Sequence, residues 1–128
     1  MDFNRYVGAP FKPVGRGPAY DCWGLVWAFY REQMGIEIPS YDDRYFSVKD
    51  KHLPDLIESE ASKWQPVRNP QPGDTVLLRI AGKARHIGIV VTEGMMLHAL
   101  HGCNVVIESY EAIKWRNRID GIFRHHTG

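Results

Sequence analysis

The stretch "AYDCWGLVWAFYREQMGI", residues 19–36, decides the reading of this chain. Asp21 is a residue type that caps helix N-termini, and Gly35 is the type that ends a helix in the left-handed conformation. Between them Leu25, Val26, Phe29, Tyr30 and Met34 form one apolar stripe, and Trp23 with Trp27 a second. The spacing predicts a helix buried on more than one side, the central helix of a domain. Cys22 falls in its first turn, where the positive end of the helix dipole favours thiolate over thiol, the state a nucleophile needs. A lone cysteine in a buried helix is more often just a small hydrophobe, so the thiol acquires meaning only with partners.

Upstream, residues 1–20 are rich in Gly and Pro with few periodic apolar positions, which describes an irregular N-terminal arm. Downstream, "IEIPSYDDRYFSVKD" (36–50) has no sustained period. Pro54 suits a first helical turn, and Leu56, Ile57, Glu60, Ala61 and Trp64 extend a second helix over about Leu53–Lys63. After "NPQPGD" the pattern changes to short β-rich runs: "TVLLRI" (75–80), "HIGIVV" (86–91), "MMLHAL" (95–100), "NVVIES" (104–109) and "DGIFRH" (120–125). Helices first and strands afterwards predict an α+β domain, the central helix packed on a roughly five-stranded antiparallel sheet. The 128 residues fit one domain, residues 1–128, and no repeat or low-complexity tract divides them.

Composition narrows the function. With 44% hydrophobic and 24% charged residues, neither disorder nor a membrane protein is indicated. A net charge of +1 from 16 basic and 15 acidic residues gives no electrostatic case for nucleic acid. No apolar run is long enough to insert in a membrane, and the N-terminus lacks the apolar core of a secretory signal, so the expected place of synthesis is the cytoplasm. Two cysteines, Cys22 and Cys103, are expected to remain free thiols there.

Partners for the thiol are at hand. His86 starts one predicted strand and His98 lies in the next, with only "TEG" (92–94) between the strands. One imidazole can take the thiol proton while a second polar group orients it. The same three residues, Cys22, His86 and His98, would also serve as a three-ligand zinc set with an open position, although none has short CxxC-type spacing. Cys103 follows a turn and lacks a helix dipole. His101 is a rival for His98, while His52, His125 and His126 read as solvent-exposed, and Arg16 and Arg85 are candidate contacts for substrate carboxylates.

These residues resemble the NlpC/P60 cysteine peptidases, whose papain-like fold sets the nucleophile in a "DCSG[LF]V" motif at a helix start. "DCWGLV" matches it at Cys22, "HIGIVV" matches the "HVGIY" strand at His86, and "LHA" matches the third-residue segment at His98. "PQPGDTVLL" (70–78) is similar to the "PGDlvff" element, so the likeness runs from about Gly8 to Arg124. Trp in place of Ser at Trp23 looks most like the phage-tail members. The resemblance implies a thiol hydrolase of the peptidoglycan peptide stem, cutting between γ-D-glutamate and diaminopimelate, without metal or cofactor. It places the chain in a virion tail tip among other tail proteins, which would carry to the wall an enzyme made without a signal peptide. The backbone N–H of Cys22 would be an oxyanion donor. Two departures stand out: the family's "PY" tyrosine is Phe11 here, leaving Tyr20 to supply a hydroxyl, and Trp23 sets a large ring beside the nucleophile as a substrate contact. A structural tail plug with a closed cysteine site is the non-enzymatic alternative.

The hairpin register tests the histidine pair. A two-residue loop at Glu93–Gly94 would set His86 opposite His101 and turn His98 away. A three-residue loop at Thr92–Gly94, or a bulge of equal effect, sets His98 opposite Gly88 and diagonal to His86 on one face. The catalytic reading requires the second register.

Overall fold

A computed structural model describes residues 1–47, 50–80 and 83–125, with the side chains of 83–85 outside that description. Helix α1, Cys22–Phe29, continues as a π-helical turn, Tyr30–Met34, and stops at Gly35 with φ 67°. Nearly every residue of α1 is buried, as its two apolar stripes require. Helix α2 spans His52–Ala61. The strands are β1 (Gln65–Pro66), β2 (Thr75–Ile80), β3 (Lys83–Thr92), β4 (Met95–His98), β5 (Val106–Ser109) and β6 (Ile119–Arg124), with a short helix α3 (Ile113–Arg116) before β6.

All pairings are antiparallel, in the order β1-β6-β2-β3-β4-β5. Among the described residues the sheet therefore has six strands where roughly five were expected. The added one, β1, is two residues long and contains Pro66, too short and too atypical to read as a strand from pattern alone.

Alternation along the strands divides the core between two faces. Leu77, Ile87, Ile89 and Leu97 pack with Trp23, Leu25, Phe29, Leu53 and Ile57 of the two main helices. Val76, Leu78, Val90 and Met96 pack with Tyr110 and Trp115 on the other side. Because Leu78 pairs with His86 and Val76 with Gly88, the histidine belongs to this second, Trp115-covered face.

The β3–β4 turn combines both registers weighed from sequence. Thr92 pairs with Met95 across a two-residue turn, yet Val90 pairs with Met96 and Ile89 with Leu97, so Val91 is the extra residue of a β-bulge. Past the bulge His98 lies against Gly88: a Cβ built on Gly88 would stand 3.3 Å from that of His98 and 3.1 Å from Met96 Sδ. Gly94, at φ 92°, donates its N–H to the Tyr110 hydroxyl at 2.8 Å and fixes the turn to the end of β5.

The N-terminal arm is irregular, as expected, and it is tied down. It contains a 3-10 turn at Asn4–Tyr6, and Gly8 and Val105 are joined by an N–H···O bond of 2.8 Å, as are Val105 and Ala9. The arm also crosses the first turn of α1, where a Cβ on Gly24 would collide with the Gly15 carbonyl. That close approach is the physical reason for glycine in "DCWGLV".

Candidate active site

The site begins with the cap of α1. Asp21 is fully buried and accepts from Gly24 N–H at 2.8 Å, Val14 N–H at 3.1 Å, the Arg16 guanidinium at 3.2 Å and the Tyr45 hydroxyl at 2.5 Å. A buried carboxylate needs this many donors. Arg16 also donates to the Ser40 Oγ and carbonyl and to Tyr45, so it is an internal counter-ion and not a substrate contact.

Cys22 follows as the first residue of α1, free and 1% exposed. The backbone N–H groups of Ile87 and Trp23 act on its sulfur in the sense that favours the thiolate. Ile87 is the residue after His86, which brings the sulfur alongside the start of the histidine strand. Burial, with the neighbouring Asp21 charge, pushes the thiol up to about 12 despite those donors and Arg16. The thiolate expected from the helix terminus is thus opposed in the resting site by desolvation.

His86 Nε2 and His98 Nδ1 stand 2.7 Å apart, and His98 Nε2 stands 2.6 Å from Glu108 Oε1. The same carboxylate oxygen accepts from Trp115 Nε1 at 3.0 Å. Trp115 stacks on the His86 ring at 5.8 Å between centroids and meets His98 edge-on at 5.6 Å. Both histidines are buried, at 2% and 0% exposure. Burial lowers His86 to about 3, with His98 and Lys114 adding to the effect; His98 is also lowered by burial, with Glu108 pulling it back.

Donor roles follow from the indole, which can only donate. Glu108 Oε1, as a carboxylate oxygen, accepts from both sides, so His98 carries its proton on Nε2 and presents a lone pair at Nδ1. His86 then donates from Nε2, and its Nδ1 is left unprotonated, a lone pair that can accept a proton. The arrangement also bears on zinc: the two imidazole nitrogens that would face a shared metal are spent on each other, and Glu108 holds the remaining nitrogen of His98.

Three further expectations are corrected. Trp23 is 1% exposed, donates Nε1–H to the Pro39 carbonyl at 2.9 Å and packs on Tyr41 and Trp64, so its ring fills the core instead of lining a cleft. Tyr20 is buried against Tyr6, and the charges acting on it are Glu32 and Arg5, which removes the case for it as the missing active-site hydroxyl. His125 is half-buried, its ring against Tyr30 and Trp64. His101 is exposed and packs edge-on to Phe11, away from the histidine pair. His52 is exposed, as expected, and so is Cys103, while the Arg85 side chain and His126 lie outside the described residues.

Glu108 and Trp115 were not singled out from sequence. The available signal was an acid within the apolar run "NVVIES", but its meaning depends on the β4–β5 register.

A cysteine opening a central helix, beside a strand whose first histidine is chained to a second, defines a papain-like thiol-hydrolase architecture. The NlpC/P60 family model matches residues 8–124, and the chain belongs to that family. It is 34% identical over 87 residues to the tail tip assembly protein K of Escherichia phage N15, covering 65% of this chain and 36% of that protein. It is 30% identical over 100 residues to the murein DD-endopeptidase MepS/murein LD-carboxypeptidase of Escherichia coli K12, covering 77% and 45%. The chain thus matches less than half the length of either relative. Among solved structures, an NlpC/P60 family protein from Bacillus cereus superposes with a TM-score of 0.72 at 19% identity, covering 96% of this chain and 37% of that one.

Proposed function

We propose that residues 1–128 form the catalytic domain of a thiol hydrolase that cuts an amide bond in the peptide stem of peptidoglycan and is carried in a bacteriophage tail. The observation that supports this best is the chain from Glu108 through His98 to His86, which leaves an unprotonated Nδ1 on the residue that precedes Ile87, whose backbone N–H acts on the Cys22 sulfur. In this reading His86 Nδ1 takes the thiol proton as the sulfur attacks the scissile carbonyl. The Cys22 backbone N–H, at the helix start, stabilises the oxyanion. His86 then protonates the leaving amine, and water, deprotonated by the same ring, hydrolyses the thioester. His98 holds the His86 ring.

The relatives support substrate and setting: MepS is a murein endopeptidase and protein K a tail tip assembly protein. The bond proposed is γ-D-glutamyl–diaminopimelate. Purified muropeptides incubated with wild type and Cys22→Ala, followed by mass analysis, test this directly. Products of γ-D-glutamyl cleavage from wild type alone are expected; cleavage elsewhere in the stem or cross-link reassigns the bond, and identical behaviour of both proteins refutes the hydrolase.

One observation favours a second reading. Cys22 and His86 are only 1% and 2% exposed, the state of a site held shut in a structural tail plug. A folded wild-type chain as inert as Cys22→Ala selects that reading.

A further inference from the structure

The hydrogen-bonded chain does not end at the second histidine. It crosses three adjacent strands on one sheet face, each step a diagonal: His86 on β3 to His98 on β4, whose direct cross-strand partner is Val106, and on to Glu108 on β5. Diagonal neighbours on a sheet are within reach only of long or aromatic side chains, and all three members are of that kind. Its far end is held in turn by the Trp115 indole, donating to the same Glu108 oxygen that accepts from His98.

We propose that Glu108 is a positioning residue for the Cys22–His86 pair: its carboxylate fixes the tautomer of His98 and, through it, that of His86, and supplies the negative charge that offsets the imidazolium formed when the thiol proton moves. This rests on the hydrolase reading above and extends it to a fourth side chain. An imidazole can place its single proton on either nitrogen, and two imidazoles bonded only to each other leave the direction of the chain undefined. The wrong direction would put a proton on His86 Nδ1 and leave nothing to accept from the thiol. A charged acceptor at one end removes the ambiguity. The titratable groups facing His98 are His86 from β3, Glu108 from β5 and Lys114 from α3; of these, only Glu108 favours its protonated form. Glu108 keeps 33% of its side chain exposed, so water can solvate its charge.

The test separates hydrogen bonding from charge. Imidazole ¹⁵N–¹H correlation spectra of the whole chain at pH 7.5 should show His86 and His98 both protonated on Nε2. Glu108→Ala should mix the tautomers and lower kcat on muropeptides by about 10-fold or more with little change in KM. Glu108→Gln keeps an acceptor oxygen, so the tautomers should persist. Its imidazole-governed pH limb should still move to lower pH by about half a unit, because the charge is gone. Unchanged tautomers in Glu108→Ala, or unchanged kcat and pH profile in both variants, would overturn the proposal. A wild type no more active than Cys22→Ala would defeat the hydrolase reading instead, and the spectra would still decide whether Glu108 sets the tautomers.

Discussion

The burial of His86 makes the stability of the fold depend on pH with a sign and a size that can be worked out. Desolvation first, then His98 and Lys114, lower this imidazole from its ordinary 6.5 to about 3. Between those values the unfolded chain binds more protons than the folded one, so the stabilisation is complete above pH 6.5 and is lost as pH falls toward 3. At pH 5, one and a half units below the unfolded value, the loss from this group alone is about 2 kcal/mol at ~1.4 kcal/mol per unit. The assay is urea unfolding at pH 7.5 and pH 5 of wild type and His86→Gln, with m held constant between conditions. His98 and the carboxylates are common to both proteins, so the difference of differences isolates His86 to first order. Wild type should lose about 2 kcal/mol more than the variant on acidification. The neutral pair and the thiolate–imidazolium pair hold the same single proton and give the same slope, whereas a site that takes up a second proton by pH 5 gives none. Equal losses in the two proteins, or a gain by wild type on the variant, refute the resistance to protonation that burial imposes on His86.

Other expectations follow from individual contacts. Gly88→Ala puts a Cβ 3.1 Å from Met96 Sδ and 3.3 Å from the His98 Cβ. It should displace the second imidazole and reduce kcat by about 10-fold, with a near-native circular dichroism spectrum; full activity would show that the rings need no room there. Gly94→Ala forces φ 92° on a residue with a side chain and drives its Cβ into the Glu111 carboxylate. A loss of at least ~1 kcal/mol in urea unfolding is expected, and an unchanged midpoint would contradict the turn assignment. Brief iodoacetamide treatment at pH 7 followed by peptide mass analysis should modify exposed Cys103 ahead of buried Cys22. Faster labelling of Cys22 would mean that the site stands open and ionised at rest.

Local signals were legible in the sequence where they acted within one element. Asp21 and Gly35 bounded the central helix because a cap and a left-handed stop are properties of a few consecutive residues. The strand "TVLLRI" was found at its full extent, Thr75–Ile80, for the same reason. Alternation also restricted the histidine pair to one register, and of the two devices that could supply it the bulge is used: Val91 is the extra residue, and the turn itself has two residues. What sequence could not supply were facts that depend on how elements meet. Trp23 sits one residue from the nucleophile, yet a helix turns about 100° per residue, so its ring points into the core while Cys22 faces β3. Arg16 reads as a free cation until the arm folds over α1 and gives it Asp21. Glu108 reads as one acid in an apolar run until β5 is set beside β4.

The first turn of α1 contains two opposed effects on Cys22, and their sizes decide the resting state. A helix N-terminus favours an anion by about 0.3–1 kcal/mol, rising to ~2 kcal/mol in partly buried geometries. Burial raises this thiol from 9 to about 12, which corresponds to about 4 kcal/mol. Desolvation wins by a factor of two or more, so the dipole and the Ile87 and Trp23 N–H groups moderate the cost of the thiolate without making it the ground state. The same desolvation that disfavours the thiolate also disfavours the imidazolium, so separate ionisation of either group is costly in this site. Direct transfer from sulfur to His86 Nδ1, as proposed, would avoid an isolated charge because it would create both charges at once in a medium where opposite charges attract strongly. In the proposed mechanism the transfer is then coupled to attack on a bound carbonyl, with the new positive charge on His86 facing the Glu108 carboxylate through His98.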